Sequence, residues 1–392
     1  MDLMLHDSRI ALAIDESLGW RHHLHERPEL LYEVHETAAF VAARLSSFGC
    51  DEVATGIGRT GVVATIRGRR GESSRRIALR ADMDALPILE ETGLAYASKT
   101  SGVMHACGHD GHTAMLLGAA RALAETRAFD GTVILVFQPA EEGGAGGRAM
   151  IEDGLVDRFA PDAFYGMHNL PGLPVGRFAM RPGPIMAATD EFSIAIAGRG
   201  GHAAIPNRTA DPILAGAAIV QALQQIVSRN TDPLDSLVVS VTQFHSGFAH
   251  NVIPDEALVS GTVRSLRGET RDAAERRIHA IAEGTALAHG CTATTSYVRN
   301  YPVTVNDAGA AAFCGDVAAR LVGEAQVDRA APPLMAGEDF AYMLEARPGA
   351  YVFIGNGPSA NLHQARYDFD DRALPFGIAY WVSLAETALA SA

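Results

Sequence analysis

One short stretch of the chain, residues 104–112, concentrates side chains that bind metals. It reads Met-His-Ala-Cys-Gly-His-Asp-Gly-His and so brings three histidines, a cysteine and a carboxylate together. Its glycines allow the backbone to bend, so that side chains two residues apart can point into one space. The alternative is a polar turn in which Asp110 caps a helix that starts near His112 and Cys107 is an inert buried thiol. The spacing alone fits both interpretations.

Further candidate ligands follow predicted strands. They are Glu141 and Glu142 after strand 131–137, His168 after strand 163–165, and His363 after strand 351–354. In an open α/β sheet, the loops at the carboxyl ends of the strands bring distant residues together. We therefore expect these side chains to share one site with the 104–112 stretch.

The residue types in this set indicate which metals the site would hold. Cys107 as a thiolate, His109 and His168 as imidazoles, and one carboxylate would form a mixed shell of sulfur, nitrogen and oxygen ligands. Such a shell suits zinc, manganese, cobalt or nickel better than calcium or magnesium. Because the chain offers more than four plausible ligands, it predicts two divalent ions.

The adjacent residues Glu141 and Glu142 follow the end of a strand, where successive side chains point in different directions. One can bind metal while the other serves as general base and then general acid in the hydrolysis of an amide. Most Glu-Glu pairs are solvated acidic loops, but the flanking glycines and the strand-end position favour the catalytic interpretation.

Several nearby residues have alternative roles that the sequence leaves open. Asp82 and Asp84 share one face of an extended segment, so either can orient a ligand imidazole, or Asp84 only caps the next turn. His105 and His112 can each take the place of His109 as a ligand.

Three residues farther along the chain are candidates for contacts with substrate. His202 lies in a glycine-rich loop, where a lone histidine is usually solvent-facing. Asn251 and Arg264 can hold a substrate carboxylate, Arg264 through a two-pronged guanidinium contact. A surface ion pair is the alternative for Arg264.

The apolar patterns predict an α/β fold with two domains. Helices are predicted at 8–26, from about 34 to before Gly49, and at 112–126, with a hairpin-like pair of strands at 61–66 and 77–80. Between about 180 and 299 the order becomes β-α-β-β-α-β, which is typical of a ferredoxin-like unit. We predict an open mixed-sheet catalytic domain formed by residues 1–180 and 300–392, with an inserted α+β domain at 181–299.

Composition excludes several other classes of protein. A formal net charge of −14 argues against nucleic acid or anionic membrane as a partner. No stretch approaches the roughly 20 apolar residues of a membrane span, and the N-terminus lacks the basic and apolar segments of a secretion signal. Four scattered cysteines do not resemble a disulfide framework, so a reducing, cytoplasmic location is expected.

A series of motifs, taken in order, resembles the M20 metallopeptidase family, specifically its amidohydrolase branch of hippurate hydrolases, N-acyl-amino-acid amidohydrolases and plant auxin-conjugate hydrolases. The motifs are Leu24-His-Glu-Arg-Pro-Glu-Leu30, Arg80-Ala-Asp-Met-Asp-Ala-Leu-Pro87, Met104-His-Ala-Cys-Gly-His-Asp110, Gln138-Pro-Ala-Glu-Glu-Gly143, Gly166-Met-His-Asn169, Gly337-Glu-Asp-Phe340, and His363 before Tyr367-Asp-Phe-Asp370. The resemblance implies a zinc-exopeptidase-like catalytic domain with two divalent ions per subunit and Glu141 as general base. The metal ligands that it implies are Cys107, His109, Glu142, His168 and His363.

The same resemblance implies roles for the inserted domain. This domain would act as a lid and form a homodimer or higher homo-oligomer, in which His202 reaches the partner's active site and polarises the scissile carbonyl. Asn251 and Arg264 would hold the carboxylate of the substrate. The peptidase branches of the family place a metal-binding histidine where this chain has Asp82, so Asp82 is left out of the ligand set and Asp84 is assigned a supporting contact behind the ligands.

The predicted activity is metal-dependent hydrolysis of an N-acyl amino acid, hippurate-like or N-acetylated, to a carboxylic acid and a free amino acid. One alternative is an aminopeptidase or dipeptidase of the same fold, which needs an acidic group, Asp82 or Glu338, for a free α-amine. A second is a non-catalytic protein that binds metal or an amino acid. The presence of Glu141 argues against the second, because a pure binder has no use for a general base.

Overall fold

The computed structural model of the chain describes residues 8–69 and 73–391. Its longer helices are α1 (Ser8–His25), α2 (His35–Ser47), α3 (His109–Thr126), α4 (Gly146–Glu152), α5 (Leu155–Phe159), α6 (Pro212–Gln225), α7 (Gly268–Ala288), α8 (Ala308–Val322), α9 (Ala341–Ala346) and α10 (Leu374–Ala388). Short turns of 3-10 helix lie at Pro206–Arg208, Glu324–Gln326 and Asp371–Ala373, and a π-helical turn at Ile226–Asn230. The predicted helix at 8–26 is therefore present, and α3 begins earlier than predicted.

The strands are β1 (Glu52–Ile57), β2 (Gly61–Arg67), β3 (Arg76–Asp82), β4 (Thr132–Gln138), β5 (Ala163–Leu170), β6 (Phe178–Ala179), β7 (Gly183–Met186), β8 (Ala188–Ala197), β9 (Gly201–His202), β10 (Leu237–Ser246), β11 (Val252–Ile253), β12 (Glu256–Ser265), β13 (Thr292–Arg299), β14 (Thr304–Asn306), β15 (Val327–Asp328) and β16 (Gly349–Gly355). The chain divides into two compact units. The large unit comprises Met1–Ile185, Val305–Pro332 and Asp339–Ala392, and the inserted unit comprises Met186–Thr304 and Pro333–Glu338.

The large unit contains an eight-stranded mixed sheet with the order β1-β2-β4-β3-β5-β16-β6-β15. Its central strands β4, β3, β5 and β16 are parallel, and their near-continuous apolar sequences are buried on both faces. The sequence prediction of a hairpin between β2 and β3 is wrong. Strand β4 lies between them, antiparallel to β2 and parallel to β3, and such long-range pairing leaves no local sequence signal.

Helix α3 lies in the core of the large unit. Of its 18 residues, 15 are buried, because it packs against helices α1 and α10 as well as the sheet. The small residues and leucines that follow His112 allow this close packing, and they fix the N-terminus of the helix at the carboxyl ends of the parallel strands.

The inserted unit has the predicted β-α-β-β-α-β order. Its antiparallel sheet runs β10-β12-β8-β13, which is the strand arrangement of a ferredoxin-like unit. Helices α6 and α7 contribute Ile219 and Ile278 to a core shared with Ile194 and Val259 of the sheet. Together with the mixed sheet of the large unit, this arrangement confirms the predicted α/β fold class.

Two helical glycines provide a test of the packing. A Cβ added at Gly377 in α10 would lie 1.9 Å from Met115 Sδ in α3, whereas one added at Gly284 in α7 would meet nothing within 4 Å. We expect Gly377→Ala to lower the free energy of unfolding by about 1–3 kcal/mol through overpacking. Gly284→Ala should raise it by about 0.5–1 kcal/mol through helix propensity. Thermal unfolding of both variants measures this, and equal shifts would contradict the packing described.

All four cysteines are free: Cys50, Cys107, Cys291 and Cys314. Across the described residues, no helix combines the length and the apolar character needed to cross a membrane.

Candidate active site

The 104–112 stretch forms the turn into helix α3. The helix begins at His109, and Gly108 precedes it with φ 88°, so no side chain caps it. The predicted cap, Asp110, lies inside the first turn and is fully buried. Its Oδ2 accepts hydrogen bonds from Arg21 Nε at 2.9 Å and His25 Nδ1 at 2.8 Å. The capping interpretation of Asp110 is therefore wrong, because the carboxylate anchors α3 to α1 instead.

The structure brings all five predicted ligands together. The ligand atoms of Cys107, His109 and His168 lie within 4.8 Å of one another, and the same holds for Cys107, Glu142 and His363. The two groups share the thiol, so they form one continuous cluster at the carboxyl ends of the central strands.

Hydrogen bonds fix the orientation of His168, the predicted ligand on β5. His168 Nδ1 lies 2.6 Å from the carbonyl oxygen of Asn169. Since a carbonyl only accepts, Nδ1 carries the proton and Nε2 offers its lone pair. His168 Nε2 lies 3.4 Å from Cys107 Sγ, so it points into the cluster, as a ligand imidazole requires.

The predicted ligand His363 is placed by an unusual backbone conformation. His363 has φ 62°, and its backbone N–H donates to the carbonyl of Ala106 at 2.8 Å. Its Nε2 lies 3.3 Å from Glu142 Oε1. A loop distant in sequence is thereby held against the turn that carries Cys107.

The open choice among three histidines is resolved by their hydrogen bonds. His112 uses both nitrogens, Nδ1 to Asp82 at 2.6 Å and Nε2 as acceptor from the Asn169 N–H at 3.0 Å. Neither nitrogen of buried His109 makes a well-formed hydrogen bond to any described residue. His105 is likewise buried without partners, but it belongs to no cluster of potential ligands among the described residues. His109 Nδ1 lies 3.4 Å from Asp84 Oδ1, the contact expected of a carboxylate behind a ligand. Of the three histidines, His109 is the one whose nitrogens lack well-formed hydrogen bonds to described residues and lie beside other potential ligands.

Two aspartates, Asp82 at the end of β3 and Asp84 just after it, make separate contacts. Asp82 binds His112 through Oδ1 and the Arg80 guanidinium through Oδ2 at 2.7 Å, so both of its oxygens are engaged. Asp84 accepts the backbone N–H groups of Glu141 at 3.0 Å and Glu142 at 3.1 Å. Asp84 thus positions the backbone of Glu141 and Glu142, and it does more than cap the turn that follows it.

The cluster carries surplus negative charge. Burial opposes protonation of His109, but the carboxylates of Asp82, Asp84 and Glu142 outweigh it and raise the pKa of His109 to about 10. Burial, together with Glu142, raises the pKa of the Cys107 thiol well above its usual range. Bound divalent cations would lower the pKa of both groups, because a nearby positive charge favours neutral imidazole and thiolate. The buried donors and the charge balance therefore fit a metal centre.

Glu141 borders the same cluster. Its side chain is 7% exposed, and a carboxylate oxygen lies within 4.8 Å of the ligand atoms of His109 and Glu142. A buried carboxylate beside metal ligands is in reach of a nucleophilic water at that site.

The remaining predicted site residues belong to the inserted unit. His202 is exposed in β9 and pairs with Val252, directly after Asn251, whose carbonyl accepts the Ala203 N–H at 3.0 Å. Strand β12 begins at Glu256, a few residues after the β11 segment that pairs with His202. Arg264 lies near the opposite end of β12, roughly 27 Å from Glu256 at about 3.4 Å per residue. The structure thus brings His202 and Asn251 together and leaves Arg264 far from both.

Arg264 is half-buried and forms no salt bridge among the described residues. Its guanidinium donates to the carbonyl of Val263 at 3.0 Å and to the Thr262 hydroxyl, and burial lowers its pKa. The alternative interpretation, a surface ion pair at Arg264, is therefore not supported, because none of the described carboxylates pairs with its guanidinium.

Sequence reasoning missed two residues that organise the cluster. Asn169 follows the predicted ligand His168, and the Tyr367 hydroxyl donates to Asn169 Oδ1 at 2.8 Å. Both stand in the motifs noted above, so their position beside ligands was the available signal.

A thiol, three imidazoles and carboxylates lie together at the carboxyl ends of an open sheet, and of the five predicted ligands only His363 is exposed. Such a set of donors defines a dinuclear metallohydrolase. Comparison with known proteins agrees. The profile of the peptidase family M20/M25/M40 matches residues 78–387, and the chain belongs to this family. It is a dinuclear metal-dependent amidohydrolase, which cleaves carbon–nitrogen bonds in linear amides.

Individual relatives cover nearly the whole chain. A hippurate hydrolase from Campylobacter jejuni is 45% identical over 93% of this chain and 94% of its own length. An N-acetyl-L-cysteine deacetylase from Bacillus subtilis is 43% identical over 91% of this chain and 84% of its own. A solved dinuclear metal-binding M20 peptidase from Bacillus subtilis superposes with a TM-score of 0.84 at 37% identity, covering 97% and 99% of the two chains.

Proposed function

We propose that this enzyme hydrolyses the amide bond of N-acyl amino acids and releases a carboxylic acid and a free amino acid. The observation that carries the proposal is the cluster of five proposed ligands, of which only His363 is exposed, with a further carboxylate, Glu141, at its edge. Two relatives are named for hippurate and N-acetyl-L-cysteine. Both compounds join an acyl group to the α-nitrogen of an amino acid, and this shared chemistry defines the substrate class.

The ligands for two divalent ions would be Cys107, His109, Glu142, His168 and His363. The mixture of sulfur, nitrogen and oxygen donors favours zinc, manganese, cobalt or nickel. When bound, the ions supply Lewis-acid activation of water and of the amide carbonyl.

Glu141 carries the proton transfers in this proposal. Its carboxylate takes a proton from the attacking water and passes it to the departing nitrogen. His202 donates a hydrogen bond to the carbonyl oxygen as negative charge develops there. Asp84 holds the backbone of Glu141 and so fixes the direction of the base.

A homodimer formed through the inserted unit would explain the placement of its three polar residues. His202 and Asn251 lie at one end of this unit and Arg264 near the other, farther apart than a small substrate can span. The resemblance assigns Asn251 and Arg264 to one substrate carboxylate. From their separation we infer instead that they serve different active sites of a homodimer, and that His202 acts on the partner subunit. Size-exclusion chromatography with light scattering tests this, and a monomer with full activity would contradict it.

The aminopeptidase alternative finds no support at Asp82. A free α-amine would need an unengaged acidic group, and both oxygens of Asp82 already bind Arg80 and His112. Glu338, the other acidic candidate, is buried at 1% exposure, and a comparison of substrates tests it. Because two relatives are named for N-acylated compounds, we expect N-acylated substrates to be preferred over free dipeptides.

The deciding experiment assays hippurate, several N-acetyl amino acids and a dipeptide with purified enzyme. Activity should fall to background after chelation and return with manganese, zinc, cobalt or nickel. Turnover of the dipeptide alone, or full activity in the chelated protein, would contradict the proposed function.

A further inference from the structure

Asn169 lies between the ligand segments and uses every polar group that it has. Its backbone N–H donates to His112 Nε2 at 3.0 Å, and its backbone carbonyl accepts from His168 Nδ1 at 2.6 Å. Its side-chain Oδ1 accepts from the Tyr367 hydroxyl at 2.8 Å, and Nδ2 donates to the Cys107 carbonyl at 2.6 Å. The residue is fully buried, so water cannot replace any of these partners.

These bonds determine the orientation of two proposed ligands. The bond from His168 keeps its proton on Nδ1 and its Nε2 lone pair towards Cys107 Sγ. The bond from Asn169 Nδ2 to the Cys107 carbonyl fixes the peptide that carries the thiol. The side chain of Asn169 thus orients the segment that carries Cys107 Sγ, and its backbone carbonyl orients His168 Nε2.

The turn around this amide is tightly fitted. A Cβ at Gly108 would lie 2.4 Å from Asn169 Nδ2 and 2.5 Å from the Tyr367 hydroxyl. Gly108 also has φ +88°, a conformation that side chains other than glycine rarely adopt. The backbone between Cys107 and His109 is therefore shaped against the Asn169 amide.

We propose that Asn169 is a positioning residue of the metal centre, which sets the Cys107 and His168 donors and is itself held by Tyr367. This inference rests on the proposed ligand set. Asn169 is not itself a member of that ligand set, and it acts through two members of the set, Cys107 and His168.

Asn306 provides a matched control in the same unit. It is 2% exposed, its Nδ2 donates to the carbonyls of Arg181 and Tyr351, both at 2.9 Å, and its Oδ1 accepts the Tyr351 N–H at 2.7 Å. It therefore resembles Asn169 in burial and hydrogen bonding but contacts none of the five ligands.

The test is titration of metal-free protein with Co²⁺, following the thiolate-to-cobalt charge-transfer absorption. Asn169→Asp keeps the shape of the side chain but places an oxygen against the Cys107 carbonyl. We expect it to bind Co²⁺ about 10–100-fold more weakly with a reduced thiolate band, the usual effect of losing a residue behind the ligands. Asn306→Asp should lower the melting temperature but keep wild-type cobalt affinity and absorption.

Tyr367→Phe tests the same inference without altering the amide, and it carries the experiment if Asn169→Asp fails to fold. Tyr367→Phe should weaken Co²⁺ binding, as Asn169→Asp does, whereas the Asn306→Asp control keeps wild-type affinity. Wild-type affinity and band in Asn169→Asp or in folded Tyr367→Phe would overturn the role of Asn169 alone. Absence of the thiolate band in the wild type would instead overturn the ligand set, and with it this inference.

Discussion

Replacing Glu141 with glutamine is expected to lower kcat by about 10²–10⁴-fold, the contribution typical of a general base. Glutamine preserves the size of the side chain but cannot accept a proton from water. Because Glu141 is not in the proposed ligand set, the Glu141→Gln protein should retain its metal. Steady-state assay with an N-acyl amino acid, combined with metal analysis of the same sample, measures both effects.

The adjacent residue supplies the control. Glu142 Oε1 lies 3.3 Å from His363 Nε2 and 3.9 Å from His109 Nε2, in the middle of the cluster. Glu142→Gln should therefore lose activity together with bound metal. Full activity in Glu141→Gln, or loss of metal from it, would exclude the assignment of the base.

Raising the pH through about 6.5 to 9 is expected to remove about 3 kcal/mol of stability contributed by His25. This histidine is fully buried, with Nδ1 2.8 Å from Asp110 and Nε2 3.3 Å from Glu90. Burial and Arg21 lower its pKa, but Asp110 and then Glu90 outweigh them and raise it to about 9.

The direction follows from the two pKa values. Below about 6.5, the ordinary pKa of histidine, folded and unfolded chains both hold the proton, and the ion pair contributes fully. Between there and the folded pKa of about 9, only the folded chain holds it, so the free energy of unfolding falls as pH rises. Above the folded pKa the contribution is lost.

Urea unfolding of wild type and His25→Gln on both sides of this window measures the effect. The difference between the proteins isolates His25, because other groups titrate in both. His22→Gln is the matched control, since His22 also pairs with an aspartate, Asp371, but with 30% of its side chain exposed, where ion pairs contribute little. An equal pH dependence in His25→Gln and wild type would refute the prediction.

The fold class and the clustering of ligands were predictable because they rest on periodic and local signals. Alternating and continuous apolar runs gave the strands, and ligand residue types stood at predicted strand ends. The order of the strands was less accessible. Residues 61–66 and 77–80 read as a hairpin, but β4 pairs between them, and sequence proximity cannot reveal an inserted neighbour.

The network behind the ligands could not be derived, since its partners are distant in sequence. Asn169 is 62 residues from Cys107 and 198 from Tyr367, and Asp110 is 89 residues from Arg21. The sequence offers Asp110 a helix cap as one interpretation because caps are local, whereas its hydrogen-bond partners Arg21 and His25 lie on another helix. Such contacts appear only when the whole core is assembled.

The distribution of the proposed ligands along the chain would couple metal binding to the completion of folding. Cys107 and His109 precede the inserted unit in sequence, and His363 follows it. A partly synthesised or partly unfolded large unit therefore lacks at least one ligand, and only the native state binds the ions with full affinity. By mass action, free metal at about 100 times its Kd adds about 2.7 kcal/mol to native stability. The ions would therefore stabilise the large unit only once its segments before and after the inserted unit have come together.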